Sequence, residues 1–328
     1  KFFAARKRPM PASTLVQAQV PEGAIVLPNP NGTAPGLAMK VEGASFHSTL
    51  NPQPSTFPKW LVMLPGPPRE LRPMFNDAGV PLLHRELPRD GEFVCRTLRT
   101  VGIGESQAAD RIGKLLHPLI AQGMDLGYCA HIGAVDVRFA AKGQQAKQMV
   151  SEAAALVRQE LTKHIFGEDD ETLESVIVRL LTERSQTLAR AESCTGGGIA
   201  NRITNVPGAS AVLLASLVTY ANEAKQKFVG VRSETLATHG AVSEAVAKEM
   251  AAGARRETGA DYALSVTGIA GPGGGTEAKP VGTVFIGFAS ATETITIKQF
   301  NPFDRETFKN VTGTQALEIL RRKILAIE

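Results

Sequence analysis

The sequence predicts a mixed α/β protein. Its C-terminal half is a layered α/β domain, preceded by a small α+β segment and a proline-rich α/β segment. Three observations predict it. From residue 172 onward, helical and strand-like stretches alternate, the pattern of a sheet layered with helices. Residues 90–166 read strand, helix, strand, strand, helix. Residues 1–89 hold short apolar runs between proline-rich turns, with too few units to close a domain.

In chain order, the N-terminal "KFFAARKRPMP" reads as the end of a helix, and the chain is expected to be a fragment or a processed product. "LPNPNGTAPG" (27–36) is turn-rich. "KWLVML", bounded by Pro58 and Pro65, is a buried strand, and Pro67, Pro68 and Glu70 suit a first helical turn. Phe93 to Val101 alternates as a strand, and "GESQAADRIGKLLHPLIAQG" is helical. Two strands, "MDLGYCA" and "VDVRFAAKG", meet at His131-Ile132-Gly133 before an amphipathic helix from Gln144. In "VGIGES" a lone Gly-x-Gly is weak evidence for a phosphate loop, and Gly104 starts a helix. "FGEDDETLE" is an acidic linker leading into a helix from Leu173 to Arg184, which gives boundaries at 1–89, 90–166 and 167–328. Then follow a strand at Thr187–Ala191, a glycine turn and a helix, a strand at "LVTY", and helices at "NEAKQKF" and "EAVAKEMAAGARRETG". Strands "DYALSVTG", "VGTVFIGFAS" and "TETITIKQF" precede a last helix from Arg305 to Ile327.

Composition excludes several classes. A hydrophobic fraction of 43% with 21% charged residues is ordinary for a globular chain, and no apolar run is long enough to span a membrane. Three separated cysteines, Cys95, Cys129 and Cys194, suit a reducing cytoplasm and form no zinc cluster. The net charge of +4 is concentrated in residues 1–89, including Arg6-Lys7-Arg8. It is too small for a dedicated nucleic-acid binder, so no direct nucleic-acid contact is expected.

Ligands of such sheets bind at the carboxyl ends of strands. Four loops there carry chemistry: Glu192–Gly198, Tyr220–Lys225, Thr267–Thr276 and the stretch with Asp304 and Arg305. In "LARAESCTGGGIANRI" the turn could grip an anion, present a nucleophile, or only turn a corner with Thr195 as helix cap. Ser210 reads locally as a helix N-cap, and more sharply as a nucleophile deprotonated by a desolvated Lys225. Tyr220 could relay a proton or pack at a strand end. "TGIAGPGGGTEAKPVGT" costs much chain entropy to order, so its glycines, Gly274 among them, point to backbone donors for a phosphate or oxyanion.

The motifs "AESCTGG", "PGAS…VTYANEAK", "HGAVSE", "TGIAGPGGGTEAKPVGTV" and "FDR", in this order, closely resemble the C-terminal domain of the competence/damage-inducible protein A (CinA) family. That resemblance, over residues 170–328, implies an amidohydrolase converting nicotinamide mononucleotide to nicotinate mononucleotide and ammonia. "RPMP…QAQVPEG", "LPNPNGTAPG" and "LPGPPREL" resemble part of the family's molybdopterin-binding-like domain, and residues 90–166 its KH-like domain. The resemblance implies Ser210 as nucleophile, Lys225 as base and Tyr220 assisting, with Ser193 as second candidate nucleophile. It implies a substrate pocket with Thr195, Gly196, Thr267, Gly268 and Gly274, and Arg305 on the phosphate. Ala221 stands where relatives often have serine, a hydroxyl expected to be dispensable. No cofactor is implied for the amidohydrolase. A divalent metal enters only with the family's ADP-ribose pyrophosphatase, whose Gly-Gly-rich phosphate loop is not in this sequence. A pyridine nucleotide is the implied partner, in a cytoplasmic homodimer. The alternatives are that pyrophosphatase, located in residues 1–89, and a non-catalytic adaptor in DNA uptake or repair.

Overall fold

The structure, a computed structural model, describes residues 7, 9, 19–41, 59–87 and 91–327. The helix end expected at the N-terminus, with Arg6 and Arg8, lies outside them. Chain contacts divide the protein into two units, Lys1–Glu92 and Phe93–Glu328.

In the first unit, β1 (Ile25–Leu27), β2 (Gly36–Val41) and β3 (Lys59–Met63) form an antiparallel sheet. Helices α1 (Pro68–Met74) and α2 (Val80–Glu86) follow, joined by a π-helical turn. Pro68 opens α1, where its missing N–H costs nothing. Leu27, Ala38, Met74 and Leu82 make the small core.

The second unit holds two sheets. The first is antiparallel, in the order β5-β6-β4-β7, built from β4 (Phe93–Val101), β5 (Asp125–His131), β6 (Ala134–Lys142) and β7 (Ile165–Glu168). Helices α3 (Glu105–Ala121) and α4 (Ala146–Leu161) pack on it through Ile112, Leu116, Val150 and Val157. Gly104 is the N-cap of α3. The start of the expected acidic linker is instead β7: Gly167 and Glu168 pair with Arg99 and Leu98. A four-residue strand with two apolar side chains carries too little periodicity to stand out from a linker.

The second sheet runs β12-β11-β10-β8-β9. It is made of β8 (Leu188–Glu192), β9 (Leu213–Val218), β10 (Tyr262–Gly268), β11 (Thr283–Ala289) and β12 (Thr294–Phe300). β9, β8 and β10 are parallel, while β11 and β12 complete the sheet antiparallel. Helices α5 (Leu173–Glu183), α6 (Gly198–Thr204) and α10 (Arg305–Leu325) cover one face, meeting Leu188, Leu264, Val266 and Phe288. The other face meets α7 (Asn222–Val229), α8 (Ser233–His239) and α9 (Glu244–Thr258) through Ala189, Ala191 and Ala263. These small side chains let α9 lie close. A Cβ on Gly253 would sit 1.7 Å from the Val229 carbonyl oxygen, so only glycine lets α9 cross the end of α7. β9 begins earlier than the "LVTY" expected for it, because "LLASLV" takes the parallel register beside β8.

Helix α10 also seats the first sheet of this unit. Arg321 of α10, 2% exposed, donates to the backbone carbonyls of Lys163 and Ile165 and pairs with Glu318. No described helix is long and apolar enough to cross a membrane.

Candidate active site

The strand directions bring four loops to one edge of the second sheet. β8, β9 and β10 end there in Glu192, Val218 and Gly268, and β12 ends there in Phe300. β8 lies between β9 and β10 while the chain crosses over it from β9 to β10, so the carboxyl end of β8 is a topological switch point. Ser193 is the first residue beyond it.

Lys225 enters from the first turn and a half of α7 and is 1% exposed. Its Nζ donates to the Thr219 carbonyl at 2.9 Å, the Tyr220 carbonyl at 3.0 Å and Ser193 Oγ at 3.3 Å. A lysine ammonium has three donors, and here all three are used. When the amine is neutral, two N–H groups can stay on the two carbonyls. Its lone pair then faces Ser193 Oγ. Burial pulls the Lys225 pKa down, partly opposed by the neighbouring Cys194 and Glu223. The site therefore both lowers the cost of neutral lysine and aims it at a hydroxyl.

Ser210 is not part of this arrangement. It is exposed in a 3-10 turn, Ala209–Ala211, before the amino end of β9, whereas Lys225 meets the carboxyl end. The six-residue strand between them is on the order of 20 Å long. The expected Ser210–Lys225 pair is corrected to Ser193–Lys225. The family resemblance put Ser210 first and Ser193 second. Parallel pairing of β8 and β9 brings the more distant serine to the lysine. Ser210 is not a helix cap either, since Gly208, with φ 86°, precedes its turn.

Glu192 organises the turn that carries Ser193. Its carboxylate, 1% exposed, accepts from Thr195 Oγ1 at 2.7 Å, Ala200 N at 2.9 Å and Ile199 N at 3.1 Å. The first amides of α6 are therefore occupied by the chain's own carboxylate, and the expected anion-friendly turn has its anion built in. Thr195 accordingly serves Glu192 rather than capping α6, whose N-cap is Gly197 at φ 89°. Gly196, at φ 62°, supplies the left-handed step of the same turn. Glu192 had no assigned task in the sequence; an acid ending a strand directly before Ser193 is the signal for it. Beside it, the fully buried Arg190 guanidinium approaches Glu192 Oε1 at 3.6 Å, and burial pushes its pKa down to about 10. Burial also pushes the Cys194 thiol up to about 12.

The glycine loop sits across the same edge. Arg305 Nη1 donates to the Gly271 carbonyl at 2.8 Å, and Nη2 donates to the Tyr220 hydroxyl at 3.0 Å. Arg305 thus ties the loop to Tyr220, whose ring is 60% exposed. Thr267 and Gly268 are placed for the fold. Thr267 Oγ1 donates to the Ala241 carbonyl at 2.7 Å, and a Cβ on Gly268 would lie 2.9 Å from the Thr283 carbonyl oxygen. Gly274, at φ 86°, is exposed in the loop. In the first unit, the loops "PNPNG" and "PPRE" are joined by Asn29 Nδ2 donating to Glu70 Oε2 at 2.8 Å.

A cleft of about 460 Å³ adjoins the turn, between α6 and α10, lined by Asn201, Arg202, Arg305, Lys309 and Asn310 among others. Lys309 Nζ lies 3.8 Å from where a Cβ on Gly196 would sit.

Fold and site together define an α/β protein with a serine–lysine pair at the carboxyl edge of a mixed sheet. The chain matches the CinA C-terminal domain over residues 170–324 and the damage-inducible protein CinA KH domain over residues 95–167. It is 39% identical over 333 residues to a putative competence-damage inducible protein of Alkaliphilus metalliredigens, covering 99% of this chain and 75% of the relative. It is 41% identical over 329 residues to one of Moorella thermoacetica, again covering 99% and 75%. The crystal structure of competence/damage inducible protein CihA from Agrobacterium tumefaciens is 40% identical, with a TM-score of 0.45, covering 45% of this chain and 92% of that one. The chain belongs to the CinA family of competence/damage-inducible proteins.

Proposed function

We propose that residues 170–328 hydrolyse the carboxamide of nicotinamide mononucleotide, giving nicotinate mononucleotide and ammonia. The observation that carries this reading is the buried Lys225 amine held by two carbonyls and facing Ser193 Oγ. Neutral Lys225 takes the Ser193 proton as Oγ bonds to the carboxamide carbon. The resulting ammonium gives that proton to the departing nitrogen, and the C–N bond breaks to leave an acyl-serine. Lys225 then takes a proton from water, whose oxygen attacks the acyl carbon and releases the carboxylate and Ser193. Tyr220, its hydroxyl oxygen accepting from Arg305, keeps its own proton to donate toward the developing oxyanion. No metal enters these steps.

The test is incubation of the full chain with nicotinamide mononucleotide, reading ammonia and product. Turnover is expected with and without EDTA. No turnover, or turnover that EDTA abolishes and zinc or magnesium restores, would overturn the serine–lysine mechanism.

A further inference from the structure

We infer that the cleft between α6 and α10 is a seat for a phosphate monoester, with Lys309 as its cation. The ligand's identity as a nucleotide rests on the amidohydrolase reading. The seat itself rests on which polar groups near Ser193 are already engaged and which are not.

The turn at the start of α6 and Arg305, which the sequence assigned to an anion, and Arg202 beside them are engaged elsewhere, wholly or in part. The amides of Ile199 and Ala200 at the start of α6 donate to the Glu192 carboxylate. An incoming phosphate would have to displace a buried anion to use them. Arg305 spends two of its five N–H donors on the Gly271 carbonyl and the Tyr220 hydroxyl, and so positions Tyr220 and the glycine loop. Arg202 pairs with Glu174 and donates to the Asn310 carbonyl and Thr314 Oγ1.

Lys309 differs. Among the described residues its ammonium has no acceptor, and it is half-buried at the wall of the cleft beside Gly196. The carboxamides of Asn201 and Asn310 line the same cleft, and among the described residues neither is engaged. One free ammonium and two free amide donors form a donor set for a phosphate dianion, which has acceptors on every non-bridging oxygen. Glu306 also lines the cleft and, as a carboxylate, opposes an anion on its own side. It leaves the Lys309 side as the favourable one. Gly196 is three residues beyond Ser193, so the seat lies next to the turn that presents the hydroxyl. A cleft of about 460 Å³ is within the range of small-molecule sites. The group recognised is a sugar phosphate carried by the molecule whose amide reaches Ser193.

The experiment uses the full chain and three probes: nicotinamide mononucleotide, nicotinamide riboside and ribose 5-phosphate. Calorimetric titration is run on the native chain, Lys309→Met, Lys309→Arg and Arg305→Met, with circular dichroism to confirm folding. Loss of one charge-assisted contact should weaken mononucleotide and ribose 5-phosphate about 10- to 100-fold in Lys309→Met. The preference for mononucleotide over riboside should shrink by the same factor, and Lys309→Arg should restore most of it. An unchanged preference in Lys309→Met, or a preference abolished only by Arg305→Met, overturns the seat. If ribose 5-phosphate binds through Lys309 but the native chain releases no ammonia, the seat stands and the amidohydrolase reading falls. If ammonia is released and the preference is indifferent to Lys309, the reverse holds.

Discussion

Ser193, Lys225 and Cys194 are three neighbouring groups given different chemistry by burial. Lys225 is desolvated yet solvated again by two carbonyls, so it is held in place while its charge is disfavoured. Ser193→Ala and Lys225→Ala are each expected to lower kcat more than about a thousandfold, and the double variant hardly further, since either loss stops one proton transfer. Ser210→Ala should keep native turnover, and steady-state kinetics of the four variants decide the matter. The reverse pattern, with Ser210→Ala inactive and Ser193→Ala active, would return the nucleophile to the 3-10 turn. The proposed base is the neutral amine of a lysine whose pKa is lowered, so kcat/KM should rise with pH and level off above that pKa, below the 10.5 of a free lysine side chain. A rate independent of pH from 6 to 10 would count against Lys225 as base. Cys194 illustrates the opposite outcome. With its pKa pushed up to about 12, the buried thiol stays protonated and unreactive. Iodoacetamide at neutral pH should label the exposed Cys129 and leave Cys194 unmodified until the chain unfolds, as read by mass spectrometry.

Among the elements, α7 matters most because it carries Lys225, the proposed base. It is short, and its N-cap, Ala221, has extended backbone angles but no side-chain hydrogen bond to the first turn. Ala221→Ser would supply that bond and should stabilise the protein by about 0.5–2 kcal/mol in urea unfolding, with kcat little changed. Unchanged or lower stability would show that the Ala221 position does not tolerate a capping rotamer. The crossing of α9 at Gly253 holds the other end of α7. One contact sets the tail of the helix and the missing cap leaves its head uncorrected. The neighbouring helix α6 is held differently, with its first amides tied to Glu192 at the end of β8.

For the whole molecule, the two sheets of residues 93–328 form one contact unit, and Arg321 is their chief polar fastening. Arg321→Ala would leave Glu318 partly unpaired and strip the Lys163 and Ile165 carbonyls of a donor. The expected loss is about 3–5 kcal/mol. Calorimetry of the native chain should show residues 93–328 melting in one transition, split or lowered in Arg321→Ala. An unaltered melting profile would mean that the apolar contacts alone join the sheets.

Much was legible in the sequence. Glycine-rich turns, the alternation of β4 and β8, the apolar runs of β10 and β11, and the capped or proline-led helices depend on neighbours a few residues away, and local chemistry writes them plainly. The four loops that meet at the sheet edge were legible too, because each follows a strand. What the chain could not display is which side chains meet. Ser193 and Lys225 are 32 positions apart, and only the parallel pairing of β8 with β9 makes them neighbours and takes Ser210 to the far end. The same holds for Arg305, whose guanidinium lies between Tyr220 and Gly271, 85 and 34 positions away. A residue's type fixes what it can donate or accept. Whether that capacity is already used is decided by partners distant in the chain, and packing alone brings them within reach.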